Sequence, residues 1–186
     1  MDDEWKLLIS EATDEIKELP AEKAVKENKL EEDSAQVEIM LRKVIIPTLK
    51  ELKVELDKHN TPARVTSIEN TFPDWTHYSA SITVDLSGLL RDFIKNKAPS
   101  APYPEFFYEI GIEATPYKIL YNNKCHITDT KGRSRELSHT KSALPTTFDL
   151  TNDSTDLTSD NIKWDFGLRY KESVDFLRTT EVYGLR

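Results

Sequence analysis

The sequence predicts an α+β fold: a curved antiparallel sheet of about five strands with a long kinked helix packed on one face, plus an N-terminal helix. Three observations predict it. An apolar stripe at helical spacing runs through Val37, Leu41, Ile45, Leu49, Leu52 and Leu56. Three later segments, 78–86, 106–115 and 162–170, alternate apolar and polar residues with period two, as half-buried antiparallel strands do. The 186 residues carry 38% hydrophobic and 31% charged side chains, which is enough for one core and too apolar for disorder.

Residues 3–19 read as the N-terminal helix. Trp5, Leu8, Ile9, Ala12, Ile16 and Leu19 recur at spacings of three and four, and Pro20 ends the pattern. The stretch 21–33 is charged and weakly periodic, and reads as a solvated linker with some helical character. The domain division is therefore an N-terminal helix and charged linker over 1–32 and a single α+β domain over 33–186.

The long helix starts at Asp33 or Ser34, either of which can cap it. Its stripe stays in phase through Pro47. At 100° per residue Pro47 falls opposite the stripe, where a proline bends a helix without ending it. Asn60-Thr61-Pro62 stops the helix.

Val65–Ile68 is a weaker strand ahead of a turn at Phe72-Pro73-Asp74. Tyr78, Ala80, Ile82, Val84 and Leu86 form the inner face of the next strand, and Phe106, Tyr108, Ile110, Ile112 and Ala114 that of the one after. Between them lie a short helix over 87–94 and a proline-rich connector over 98–104. Tyr117–Tyr121 and Lys124–Thr128 read as a hairpin turning at Asn122-Asn123, and Asp129–Gly132 as the next turn. The stretch 151–161 is almost devoid of apolar residues and reads as a mobile loop, and 162–170 as the last strand.

The composition excludes several chemistries. The formal net charge of −8 disfavours a nucleic-acid surface, which must neutralise phosphates. Arg133, Arg135, His139 and Lys141 are too sparse to reverse that. The five glycines lie far apart, so neither a P-loop nor a dinucleotide fingerprint exists. One cysteine allows no internal disulfide and no cysteine-based zinc site. No apolar run is long enough to span a membrane. The acidic start Met1-Asp2-Asp3-Glu4 is unlike a signal peptide, and the expected setting is cytoplasmic. No cofactor or metal is expected.

Cys125 is followed by His126, which raises the question of a nucleophile beside its base. Neighbours on a strand point to opposite faces, so the two cannot bond each other. Cys125 and Ile127 belong to the buried side, where a lone cysteine behaves as a small hydrophobe.

The polar sides of the three clear strands would bring together His77, Asp85, Glu109, Glu113, Lys163, Asp165 and Arg169, with Gly111 and Gly167 leaving the surface low. A solvated face with cross-strand ion pairs is the ordinary meaning of such residues. Phe107 stands out as an aromatic among them, as an interface anchor does. The reading is a non-enzymatic protein-binding module (an adaptor, an inhibitor or immunity-type protein, or an assembly factor) that contacts its partner through Phe107, Glu109, Glu113 and Arg169. A basic partner suits the acidic balance, and the N-terminal helix offers a route to a homo-oligomer. The alternative is a small-molecule-binding protein or enzyme with a pocket between the long helix and the sheet. A pocket of about 300 Å³ or more with convergent polar groups would favour it.

Overall fold

The computed structural model describes residues 23–72, 75–90, 104–115, 119–128, 132–137, 147–149 and 157–179. The expected N-terminal helix, the turn residues Pro73 and Asp74, residues 91–103, most of the 129–132 turn and residues 151–156 lie outside them.

Helix α1 runs without a break over 23–58. The charged stretch expected to be a linker thus forms, from residue 23, the first turns of the long helix. Mixed Glu and Lys at spacings of three and four favour a helix even without an apolar face, and Lys23 lies 3.8 Å from Glu27 one turn on. Val37, Leu41, Ile45, Leu49 and Leu56 are all buried, as the stripe requires.

Pro47 is accommodated by a π-helical segment over Leu41–Ile45, in which the Ile46 amide donates to the Leu41 carbonyl five residues back. The wider turn opens the ladder where the proline has no N–H to offer. The extra residue also rotates the helix phase, so Pro47 is half-buried and not on the solvent side. Thr48 completes the repair by donating from Oγ1 to the Val44 carbonyl at 2.6 Å.

The helix ends as expected. Asn60 takes a left-handed φ of 54°. The Thr61 amide then reaches back to the Leu56 carbonyl and that of Asn60 to Asp57, both at 3.0 Å, in a Schellman closure.

The sheet is antiparallel and open, in sequence order: β1 (Ala63–Phe72), β2 (Trp75–Asp85), β3 (Glu105–Ala114), β4 (Ile119–Thr128) and β5 (Ser134–Glu136). The short β6 (Thr147–Asp149) also pairs with β4, opposite Leu120, Tyr121 and Asn122. A 3₁₀ turn at Ser87–Leu90 follows β2, its first amide held by the Asp85 carboxylate at 2.7 Å.

The predicted hairpin at Asn122-Asn123 does not form. Both asparagines lie inside β4, which pairs with β3 along all of its length. Asparagine is a poor strand former, but here tertiary contacts decide. Asn122 sits opposite Gly111, and the Asn123 amide finds partners in the interior.

The second correction concerns 162–170, expected as a strand. It belongs to helix α2, Ser159–Thr179. The helix starts where a mobile loop was expected: Thr158 caps it, with the Asn161 amide donating to Thr158 Oγ1 at 3.2 Å and the Ile162 amide to the Thr158 carbonyl at 3.0 Å. In helical phase the buried residues are Ile162, Asp165, Phe166, Arg169, Ser173 and Leu177. Trp164, expected inside, is exposed.

Both helices pack on the same face of the sheet, α1 over β1 and β2 and α2 over β3. Between the layers lie Tyr78, Ala80, Ile82, Val84, Phe106, Tyr108, Ile110, Ile112, Cys125 and Ile127. Phe166 meets the rings of Phe106 and Tyr108 edge-on at 5.5 and 5.6 Å and stacks on Tyr170. Burying each large side chain stabilises the fold by about 1.5–3 kcal/mol.

Gly167 gives a test of the helical assignment. It is exposed within α2, and a Cβ there would meet nothing within 4 Å. Gly167→Ala should therefore raise stability by about 0.5–1 kcal/mol in urea unfolding, because alanine removes the backbone-entropy penalty of a helical glycine. A destabilised variant would contradict the helix.

Candidate functional site

Two surfaces emerge from this layering. One is the buried polar cluster beneath α2; the other is the sheet face that neither helix covers.

The cluster is built around Asp165, with 0% of its surface exposed, and Arg169, with 3%. They stand one turn apart on α2, and Arg169 Nε donates to Asp165 Oδ2 at 3.0 Å. The same oxygen accepts from Tyr108 Oη on β3 and Asn123 Nδ2 on β4, each at 3.0 Å. Arg169 also donates to the Leu137 carbonyl just beyond β5 at 2.6 Å. Burial is the largest single influence on the guanidinium and works against its charge, but Asp165, Cys125 and Tyr108 together outweigh it and raise the Arg169 pKa. Each strong donor ends on an acceptor within the protein, so the arrangement clamps α2 to β3, β4 and the residue that follows β5.

Arg169 is therefore separated from the other three predicted binding residues. It lies on the inner face, inside the clamp, while Phe107, Glu109 and Glu113 alternate along the outer side of β3. The same holds for Asp165. Lys163 lies at the α1–α2 junction, 2.6 Å from Glu51.

The outer face is assembled from alternate residues of β1 to β4. Phe107 lies opposite His126, and their rings stack at 4.7 Å with 26° between planes. Burial lowers the His126 pKa, against the pull of Glu109, Glu105 and Glu136, so the stacked imidazole is neutral near pH 7. Glu109 is flanked by Ser81 on β2 and Lys124 on β4. Glu113 lies opposite His77, with Nδ1 3.5 Å from Oε1.

Between these groups the face is low: Ser79, Ser81 and Gly111 are buried small residues. A Cβ at Gly111 would come within 2.8 Å of Asn122 Oδ1 and 3.3 Å of His77 Cε1, so the missing side chain is what lets those two fold inward. At the β1–β2 corner, Ile68 (51%), Phe72 (42%) and Trp75 (36%) are exposed, with the last two rings stacked at 4.3 Å. Period-two alternation located Phe107, Glu109 and Glu113 correctly. It missed Trp75, His126 and Ile68 as parts of the same face, although their parity becomes readable once the register of β1 and β4 is known.

Cys125 is buried on the inner side and His126 points the other way, so the pair cannot act as nucleophile and base. Burial pushes the thiol up to about 12, Arg169 notwithstanding. Among the described residues no group of three or more His, Cys, Asp or Glu is placed to hold a metal ion. No described helix is long and apolar enough to cross a membrane.

The interior between the helices and the sheet is filled by side chains. At its β1–β2 end it opens into a groove of about 460 Å³ between α1 and the hairpin.

No protein-family model, curated protein or solved structure matches the chain.

The thiol leaves a measurable trace. In the unfolded chain a cysteine ionises near about 8.5, so the two states bind protons equally below that value. Between there and about 12 the unfolded state loses its proton first, and this group's contribution to stability falls as pH rises. Cys125→Ala should flatten the alkaline decline by up to about 1.4 kcal/mol per pH unit. Folded protein should react slowly with a thiol reagent at neutral pH; rapid labelling would contradict the buried, protonated thiol.

Proposed function

We propose that the chain is a protein-binding module, of adaptor, inhibitor or assembly-factor type, and that it contacts its partner through the outer sheet face. The observation that carries this reading is the stacked Phe107–His126 pair set among Glu109, Glu105 and Glu136 on a face that no described helix covers. Rigid aromatic anchors ringed by polar groups are where interface energy concentrates. The exposed Ile68, Phe72 and Trp75 extend the apolar part of the same surface, and large exposed apolar groups grouped together are typical of interaction sites. Four of the face's carboxylates (Glu105, Glu109, Glu113 and Glu136) suit a cationic partner, speeding encounter more than deepening affinity.

The small-molecule alternative draws less support. The groove between α1 and the β1–β2 hairpin reaches the expected size at about 460 Å³, but it lies open at the edge of the molecule; deeper between helices and sheet the space is packed, and its polar groups bond one another. A cytoplasmic setting belongs to the same proposal, since the single cysteine is buried and forms no disulfide.

The test is a double variant, Phe107→Ala with Glu109→Lys, used as bait against an extract of the native host. Folding should persist by circular dichroism, because neither side chain belongs to the inner core. Recovery of the partner bound by the unmodified chain should fall about ten-fold or more, the effect of losing one anchor. Equal recovery would remove this face as the binding surface.

A further inference from the structure

The groove between α1 and the β1–β2 hairpin borders the outer face at Phe72 and is otherwise lined by different residues. Its apolar lining is half-buried Leu30 on α1 and buried Tyr78 on the inner side of the hairpin, with exposed Ala35 at the rim and Phe72 at the border with the outer face. Its inner end is closed by a hydroxyl pair, Ser34 Oγ donating to Thr76 Oγ1 at 3.2 Å. Along the α1 rim stand Glu27, Glu31 and Glu38, and among the described residues no lysine or arginine lines the groove. The spacing of four and then seven keeps the three carboxylates on one side of the helix, over roughly 16 Å at 1.5 Å per residue. Lys23 reaches Glu27 and Arg42 reaches Glu38, but these are exposed helix-surface pairs, which compete weakly. Glu31 has no ion-pair partner among the described residues. The field is felt at the floor: burial, then Glu69 and Glu38, raise the pKa of the Tyr78 hydroxyl, with Arg42 opposing.

An elongated trough with an apolar floor and a carboxylate row three turns long has the complement of a chain segment, more than of a compact molecule. We propose that the groove receives a basic amphipathic helix from a protein partner. Apolar side chains of that helix pack on Leu30, Phe72 and Tyr78, and its Lys or Arg side chains meet Glu27, Glu31 and Glu38. Helix-in-groove binding divides the work this way: anchors at spacings of three and four enter the floor, and flanking charges set the orientation. The groove shares Phe72 with the edge of the outer face but contains none of Phe107, Glu109, Glu113 and His126, so the two readings are tested by different residues.

The probe is a synthetic amphipathic peptide of Leu and Lys, four helical turns long and fluorescently labelled, titrated by anisotropy. The control has the same composition scrambled so that no apolar face forms. The unmodified chain should bind the amphipathic peptide about ten-fold or more tightly than the control. Glu27→Gln/Glu31→Gln/Glu38→Gln and, separately, Ala35→Trp should each weaken that binding about ten-fold, the first by removing charge and the second by adding bulk at the groove rim with charge unchanged. Both substitute side chains at the helix surface, and circular dichroism checks that each folds. The Phe107→Ala/Glu109→Lys variant should bind the peptide as the unmodified chain does, so failure of the outer-face reading and failure of this one are separable. Equal affinity for the two peptides, or undiminished binding by the Ala35→Trp variant, overturns the proposal in favour of unspecific attraction to an acidic protein. Loss of binding in the Phe107→Ala/Glu109→Lys variant overturns it in favour of the outer face.

Discussion

One carboxylate organises the inner layer. Asp165 accepts a hydrogen bond from each of three donors on three different elements: Arg169 on α2, Tyr108 on β3 and Asn123 on β4. Bringing a charge to 0% exposure costs several kcal/mol, and only a full set of donors offsets it. That requirement is directional, as apolar packing is not. It sets the rotation of α2 about its axis, because only one face of the helix can turn Asp165 and Arg169 inward together. Arg169 extends the constraint to the Leu137 carbonyl, tying the strand beyond β4 to the helix. With α2 held there and α1 beside it, both helices lie on one side, and no described helix covers the other side of the sheet.

This clamp also explains which parts of the fold are legible in the sequence. Alternation identified β2 to within three residues and β3 to within one, and the stripe identified α1 from Asp33 onward, since in both the buried face is apolar. Residues 162–170 fit two templates at once. Ile162, Trp164, Phe166, Leu168 and Tyr170 alternate, yet Ile162, Phe166, Arg169, Ser173 and Leu177 repeat at helical spacing. The helical set contains an arginine and a serine where a core is expected to be apolar, so the shorter apolar alternation dominated the reading. Extending the window to Leu177 reveals a segment of 21 residues, too long for a strand of ordinary length. Asn122 and Asn123 misled for a related reason. Their turn preference is local, while Asn123 is needed within β4 to serve Asp165.

The site was legible to the same degree. Phe107, Glu109 and Glu113 follow from parity on β3, a local property. Placing Arg169 with them depended on α2 being a strand. The groove could not be read at all, because it needs the charged residues after Lys23 to be helical and adjacent to the hairpin. Once they are, a stretch that looks like solvated surface becomes the wall of a trough. The two proposed surfaces share an acidic character and differ in shape: a low sheet face with a stacked aromatic centre, and a walled groove. They meet at Phe72, at the β1–β2 edge of the sheet.

The most direct test of this account is a double-mutant cycle on the clamp, with Asp165→Leu, Arg169→Met and the pair together, each unfolded in urea. The account requires either single change to cost about 3–5 kcal/mol, since each leaves a buried charge without its partner. The double variant should then lose clearly less than the sum, by a coupling of about 1–3 kcal/mol. Additive losses within about 0.5 kcal/mol would mean that the two residues act separately and that the position of α2 rests on apolar packing alone.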